Sequence, residues 1–351
     1  MFIALIVIFA LLWGYLFFKY SDIFSPWSVT LLIWIFIISM YSFLDHGLYK
    51  ADNQFIKAIL IWNTGFCVSS YLSFRITPAY QKESWAKNYQ TIKIIKWICL
   101  LLVPYMLYKS ISFALTNGSV ADLIFNLRQQ TVLEDSGFSL GPLIYLVHVA
   151  YVLLLVTIDE EKINRKQFWL AFILCFTFFI VTMSKLTLFM IIVSILYLLY
   201  VYRKITIKPF LICGIIFFVF GLLFTNLRVT DSSGESGFDF MDLVGMYVVS
   251  PVVSFCYETP CSSDLWGENT FRGYYSLMNA LGFVNFIPPK FQEWVSVPIP
   301  TNVFTMMSPY FKDFGYSGLA VLSIAEGIFM GYVYKNSETG NNIMRLIYTY
   351  I

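Results

Sequence analysis

Apolar runs of nearly helix-spanning length recur along this chain, and few patterns restrict a fold more. A helix needs about 20 mostly apolar residues to cross the hydrocarbon core of a bilayer, where each backbone polar group must be satisfied within its own segment. Such runs cover Phe2–Phe18, Trp27–Leu44, Phe55–Phe74, Trp97–Leu115, Phe138–Ile158, Phe168–Met183, Leu186–Tyr202, Pro209–Thr225 and Tyr316–Tyr334. A tenth begins near Ile343 and stops at Ile351. Half a span leaves backbone groups unsatisfied, so the end reads as truncated, or as a stretch lying at the interface. Charged residues make up 13% of the chain, about half the share in soluble domains. The expected fold is an all-α polytopic integral membrane protein of about ten transmembrane helices. The first run lacks a basic leader and a small-residue cleavage site, which reads as a retained helix rather than a signal peptide.

The runs divide the chain into residues 1–225 with eight spans, a polar and aromatic loop over 226–315, and C-terminal spans over 316–351. Lys and Arg set the orientation, because cytoplasmic connections carry the excess. One alternating set of connections holds Lys19, then Arg75, Lys82, Lys87, Lys93 and Lys96, then Lys162, Arg165 and Lys166, then Arg203, Lys204 and Lys208, then Lys335. The other set is poorer, with Lys50, Lys57, Lys109, Arg128 and Lys185. The first set is therefore assigned to the cytoplasm. The Thr116–Gly137 loop, the Ser184–Lys185 turn and the large loop then share the outer side. Within that loop Phe240–Phe255 and Phe271–Phe286 read as amphipathic or re-entrant helices on the outer leaflet.

Ionisable groups beside a bilayer are costly unless paired or facing a cavity. The stretch PTNVFTMMSPYFKDFGYSG, Pro300–Gly318, sets Asn302, Thr305, Tyr310, Lys312 and Asp313 against an entering span. Its plain reading is an interfacial cap, with Asp313 as helix N-cap. On the outer side Arg128, Lys185, Arg228 and Arg272 stand out, the first and last of them in loops. Each reads alone as a snorkelling or solvated cation; converging, they form a diphosphate clamp. Glu258, Asp264, Glu268, Glu293 and Asp313 are the carboxylates available as a general base, and spacing does not choose among them. No Gly-rich phosphate loop accompanies them, which argues against ATP-driven transport. No His and Cys set has metal-ligand spacing, and Asp239 with Asp242 is a weak match. His148 reads as a helix-packing residue. No basic tract points to nucleic acid. Cys256 and Cys261 flank YETP and read equally as a disulfide or as two free thiols.

The segments SPWSV (Ser25–Val29), NLRQQ (Asn126–Gln130), the MSK turn (Met183–Lys185), the late polar loop and above all TNVFTMMSPYFKDFGYSG resemble those of the O-antigen polymerases, the Wzy family of oligosaccharide repeat-unit polymerases. The resemblance implies a GT-C-like, metal-independent glycosyltransferase without cofactor, multi-pass in the bacterial inner membrane. Its substrate would be undecaprenyl-diphosphate-linked oligosaccharide, and its partners a chain-length regulator and a flippase of the same pathway. It implies that Arg128, Lys185, Arg228 and Arg272 hold the diphosphate. Asp313 and Tyr310, with Glu268, would form the catalytic set, and Asn302 with Thr305 would bind substrate. Two features depart from the family: the large loop lacks the His that the related ligases use, and the spaced Arg-to-Gly pattern of two loops is not clean here. The alternative reading is a flippase or exporter of the same lipid-linked oligosaccharide.

Overall fold

A computed structural model describes residues 1–79, 88–116, 120–132, 140, 143, 145–159, 164–202, 205–229, 240–260, 265–285 and 293–351. The chain is largely helical and forms two compact units, Met1–Ala79 with Met241–Asn336, and Tyr80–Phe240 with Ser337–Ile351. Among the described residues five helices are long and apolar enough to cross a membrane: α1 (Phe2–Tyr20), α2 (Pro26–Phe43), α3 (Asn53–Ile76), α4 (Tyr89–Thr116) and α13 (Ser308–Glu338). Local chemistry sets several of their starts. Pro26 opens α2, where its missing N–H costs nothing. Asp52 caps α3 by accepting from the Gln54 amide at 2.7 Å.

In the first unit α1, α2, α3 and α13 pack with two short-helix segments. Phe2 rests on Tyr41 and Phe55, so the start of α1 meets the end of α2 and the start of α3. The other end of the unit is an aromatic and basic cluster. Tyr20 and Trp27 meet Tyr71 and Phe74 there. Lys19 lies over Tyr71, Lys335 lies over Phe74, and Tyr334 donates to Asp22. Three connections assigned to one side by charge thus converge at one end of this unit.

Helices α3 and α13 come together along small residues. A Cβ on Gly327 would lie 2.0 Å from Ser69 Oγ and 2.6 Å from the Phe66 carbonyl. One on Gly331 would meet the Ser70 carbonyl at 2.2 Å. The Ser73 hydroxyl donates to the Ile328 carbonyl across the gap at 2.7 Å. Small residues every fourth position are how membrane helices approach closely, because lipid offers no hydrophobic drive to pair them. Gly65, Ser69 and Ser73 on one helix, and Ser323, Gly327 and Gly331 on the other, carry that spacing.

Part of the expected loop is inside this unit. Helix α10 (Phe240–Val244) continues through a π turn at Gly245–Val249 into α11 (Ser250–Ser254) and a 3-10 turn at Phe255–Tyr257. Leu243, Val244, Val248, Val249, Val252, Val253 and Phe255 are buried. This segment is therefore embedded in the unit, not laid with an apolar face outward. Its hydroxyls bind the segment around β2: Ser250 pairs with Thr301 at 3.1 Å, and Ser254 donates to the Val303 carbonyl at 3.0 Å. Val295–Ser296 (β1) and Pro300–Thr301 (β2) form a small antiparallel hairpin. Helix α12 (Arg272–Ala280) forms within the stretch Phe271–Phe286, with Tyr274 and Leu277 exposed.

The second unit holds α4, α5 (Leu123–Val132), α6 (Leu146–Ile158), α7 (Arg165–Thr182), α8 (Lys185–Val201), α9 (Ile207–Val229) and α14 (Asn342–Tyr350). The stretch around Arg128, expected as loop, is the helix α5. Asn126 donates to the Ala114 carbonyl at 3.2 Å and Gln130 to the Ser110 carbonyl at 3.3 Å, which docks α5 on α4. Leu127 fills the gap between Ala114 and Met183. Helix α14, in the last apolar run, lies lengthwise along α6 instead of across its end. Arg345 donates to Asp159 at 3.3 Å and to Tyr202 at 2.8 Å, while Tyr350 pairs with His148 at 2.7 Å near the opposite end of α6. His148 thus meets α14 from an exposed position on α6.

Candidate functional site

The first unit gathers its polar groups around residues 308–314, a short helix at the head of α13. Gly315 breaks α13 with φ 61°, a conformation open chiefly to glycine. The span proper runs on from Tyr316. A Cβ on Gly318 would lie 2.9 Å from the Tyr310 carbonyl, so the short helix folds tightly against the long one. The two glycines of FKDFGYSG therefore have a geometric task.

Each face of the short helix meets a different partner. Asp313 accepts from the Asn269 side chain at 2.7 Å and from the Thr270 backbone amide at 2.6 Å. It is a staple holding the turn before α12, not the N-cap of the span. Arg272, expected in a loop, is the first residue of α12 and follows directly on that turn. Phe311 packs on Phe255 and Tyr316. Tyr310 stacks on Trp62 at 5.5 Å, and its hydroxyl donates to Glu326. Glu326 lies about 15 Å into the long helix, counting from Tyr316 at ~1.5 Å per residue, in an otherwise apolar run. Thr305 begins the short helix: its carbonyl accepts from the Ser308 amide at 3.1 Å, and the two hydroxyls pair at 3.2 Å. Asn302 is half-buried between β2 and this cap.

The last face carries Lys312, whose ammonium lies 3.7 Å from Glu258 Oε1 and over the Phe304 ring at 5.0 Å. The Glu258 side chain is only 2% exposed. Its two oxygens are enclosed, and the groups that face them are the Lys312 ammonium and the Ser308 hydroxyl. Its backbone is fixed by Gln54, which donates to the Glu258 carbonyl at 2.6 Å and the Phe255 carbonyl at 3.0 Å. Burial pushes the Glu258 carboxyl up to about 7, against the opposing pull of the Lys312 charge.

The remaining expected residues distribute as follows. Glu268 is half-buried in the turn before α12. Arg128 is half-buried on α5; Lys185 opens α8 and Arg228 lies near the end of α9, and the side chains of these two lie outside the described residues. Arg272 belongs to the first unit and the other three cations to the second. Cys256 is a free thiol, and Cys261, Asp264, Asp239, Pro288 and Pro289 lie outside the described residues. Among the described residues no group of three or more His, Cys, Asp or Glu could hold a metal ion. Two carboxylates that the structure brings forward had weaker or no notice in the sequence. Glu258 was one acid among five, and its burial comes from tertiary packing. Glu326 was legible as the lone acid inside the run Tyr316–Tyr334. Comparison with protein-family models, with curated proteins and with solved structures finds no match.

Proposed function

We propose that this protein polymerises undecaprenyl-diphosphate-linked oligosaccharide repeat units, of O-antigen, capsule or exopolysaccharide type, at the outer face of the bacterial cytoplasmic membrane. In this reading it is a GT-C-like glycosyltransferase of about ten spans. The observation that carries it is the concentration of charged and hydroxylated side chains around residues 308–314, at the end of the first unit away from Lys19 and Lys335. The motif resemblance falls on that same short helix. An acceptor hydroxyl attacks the anomeric carbon of the donor glycan; its proton passes to a base as the carbon–oxygen bond to the carrier diphosphate breaks. Cations stabilise the charge that develops on the departing diphosphate, the term such a reaction most needs. Asp313 acts by holding Arg272 and its turn in place.

Deleting the gene and resolving surface glycan on a gel tests the reading. The expected result is loss of the ladder with single-repeat glycan still exported. A retained ladder overturns it.

A second reading draws on Glu326. An acid at membrane depth bonded to Tyr310 suits a proton-coupled flippase of the same lipid-linked oligosaccharide, since such acids mark transport pathways. Lipid-linked repeats trapped at the inner face of the deletion strain are the result expected of that reading.

A further inference from the structure

We infer that Lys312 is a contact for the carrier's diphosphate, and that the buried carboxylate of Glu258 positions its ammonium. The inference rests on the polymerase reading and adds to it a cation outside the four assigned to the diphosphate. Three observations lead there. Lys312 is the exposed member of its pair, at 22% against 2% for Glu258. Its ammonium is held from behind by the carboxylate and from the side by Phe304, which fixes its direction as a long flexible lysine on a surface is not fixed. The short helix that carries it is stapled by Asp313 to the turn preceding Arg272, so two cations are borne on two joined elements of one unit.

Glu258 itself is an unusual neighbour for a structural ion pair. Its side chain is 2% exposed and, among the described residues, only the Lys312 ammonium and the Ser308 hydroxyl face its oxygens, a costly arrangement for a permanent charge. The groups facing it are Lys312 and Ser308 from the short helix. Gln54 and Asp52 stand at the start of α3, Cys256 lies two residues before it in its own turn, and Tyr316 donates to the Gln54 carbonyl. Of these, Lys312 is the cation. An anion arriving at Lys312 competes with the carboxylate for the same charge. Protonating Glu258 removes that competitor, so anion binding and proton uptake are linked.

The test measures binding of a polyprenyl-diphosphate-linked monosaccharide to the full chain in nanodiscs at pH 6 and pH 8. The diester phosphates of this probe do not titrate in that range. Wild type is expected to bind about tenfold tighter at pH 6. Glu258→Gln, which leaves a neutral side chain at both values, is expected to bind with pH 6 strength at both. Lys312→Met is expected to lose about tenfold at pH 6, and Lys312→Arg to recover most of it. If Lys312→Met binds as wild type does at both pH values, the inference falls while the polymerase reading stands. If wild type binds no polyprenyl-diphosphate-linked probe and makes no polymer, the reading itself falls. Inorganic pyrophosphate binding as tightly as the lipid-linked probe would assign the site to a free anion and overturn the carrier as its source.

Discussion

Glu258 is the residue where burial and charge conflict most sharply. The folded chain places its carboxyl where burial disfavours ionisation, while the unfolded chain leaves it in water at its ordinary value of 4.5. The folded state therefore holds the proton more tightly. The stability this contributes is complete below pH 4.5 and is lost as pH rises through about 7. Ionising the group across that interval costs about 3 kcal/mol, at about 1.4 kcal/mol per pH unit. Thermal unfolding in detergent is expected to show the wild-type midpoint falling between pH 5 and pH 8. Glu258→Gln should flatten that dependence and be the more stable protein at pH 8. A wild-type midpoint that does not fall across this range, or a Gln variant that follows the same slope, would remove the burial argument. Retention of a carboxylate whose neutral isostere stabilises the fold is what a functional constraint predicts. No such tension surrounds Thr305 or Asp313, whose oxygens have ordinary partners.

At the scale of elements, the contact between α3 and α13 carries the site. Trp62 and Glu326, which together hold Tyr310, belong to those two helices, and their separation is set by Gly327 and Gly331. Gly327→Leu would force atoms into the Ser69 hydroxyl and the Phe66 carbonyl, at 2.0 Å and 2.6 Å from the Cβ position. Backbone at the second contact cannot swing aside, so the helices must part. The expected cost is about 2 kcal/mol or more, read as a lower thermal midpoint. Tyr310 should lose its stack on Trp62 at the same time, changing tryptophan emission. Gly14→Leu is the control, since a Cβ there meets nothing within 4 Å. The positions of both helices were legible in the sequence, because span length is a strong physical filter. Their pairing was not read from the sequence, although Gly65, Ser69 and Ser73 and also Ser323, Gly327 and Gly331 recur at every fourth position. Burial of residues 240–257 was not legible either, because an apolar run of that length suits a surface helix and a buried one equally.

For the whole molecule, charge counting and packing address the same question by separate routes. Lys19, Arg75 and Lys335 were placed on one side because basic residues favour the cytoplasm. In the first unit Lys19 and Lys335 meet the same aromatic cluster, through Tyr71 and Phe74 on the last turns of α3, where Arg75 also lies. Glu258 and its partner Lys312 lie by Gln54 in the first turn of α3, about 30 Å from Phe74 along the helix at ~1.5 Å per residue. That length matches a bilayer core. The four-cation clamp stays a proposal, because span assignment says which side a residue is on and nothing of which neighbours it has. Sidedness is checked with single cysteines in a background where Cys67, Cys99, Cys175, Cys213, Cys256 and Cys261 are serine. Trp266→Cys and Ile76→Cys are suitable, since both side chains are exposed. A membrane-impermeant maleimide applied to intact spheroplasts is expected to label Trp266→Cys and to spare Ile76→Cys until the cells are opened. The reverse pattern would put Lys312 and Glu258 on the cytoplasmic side, where a polymerase acting on exported repeat units has no substrate.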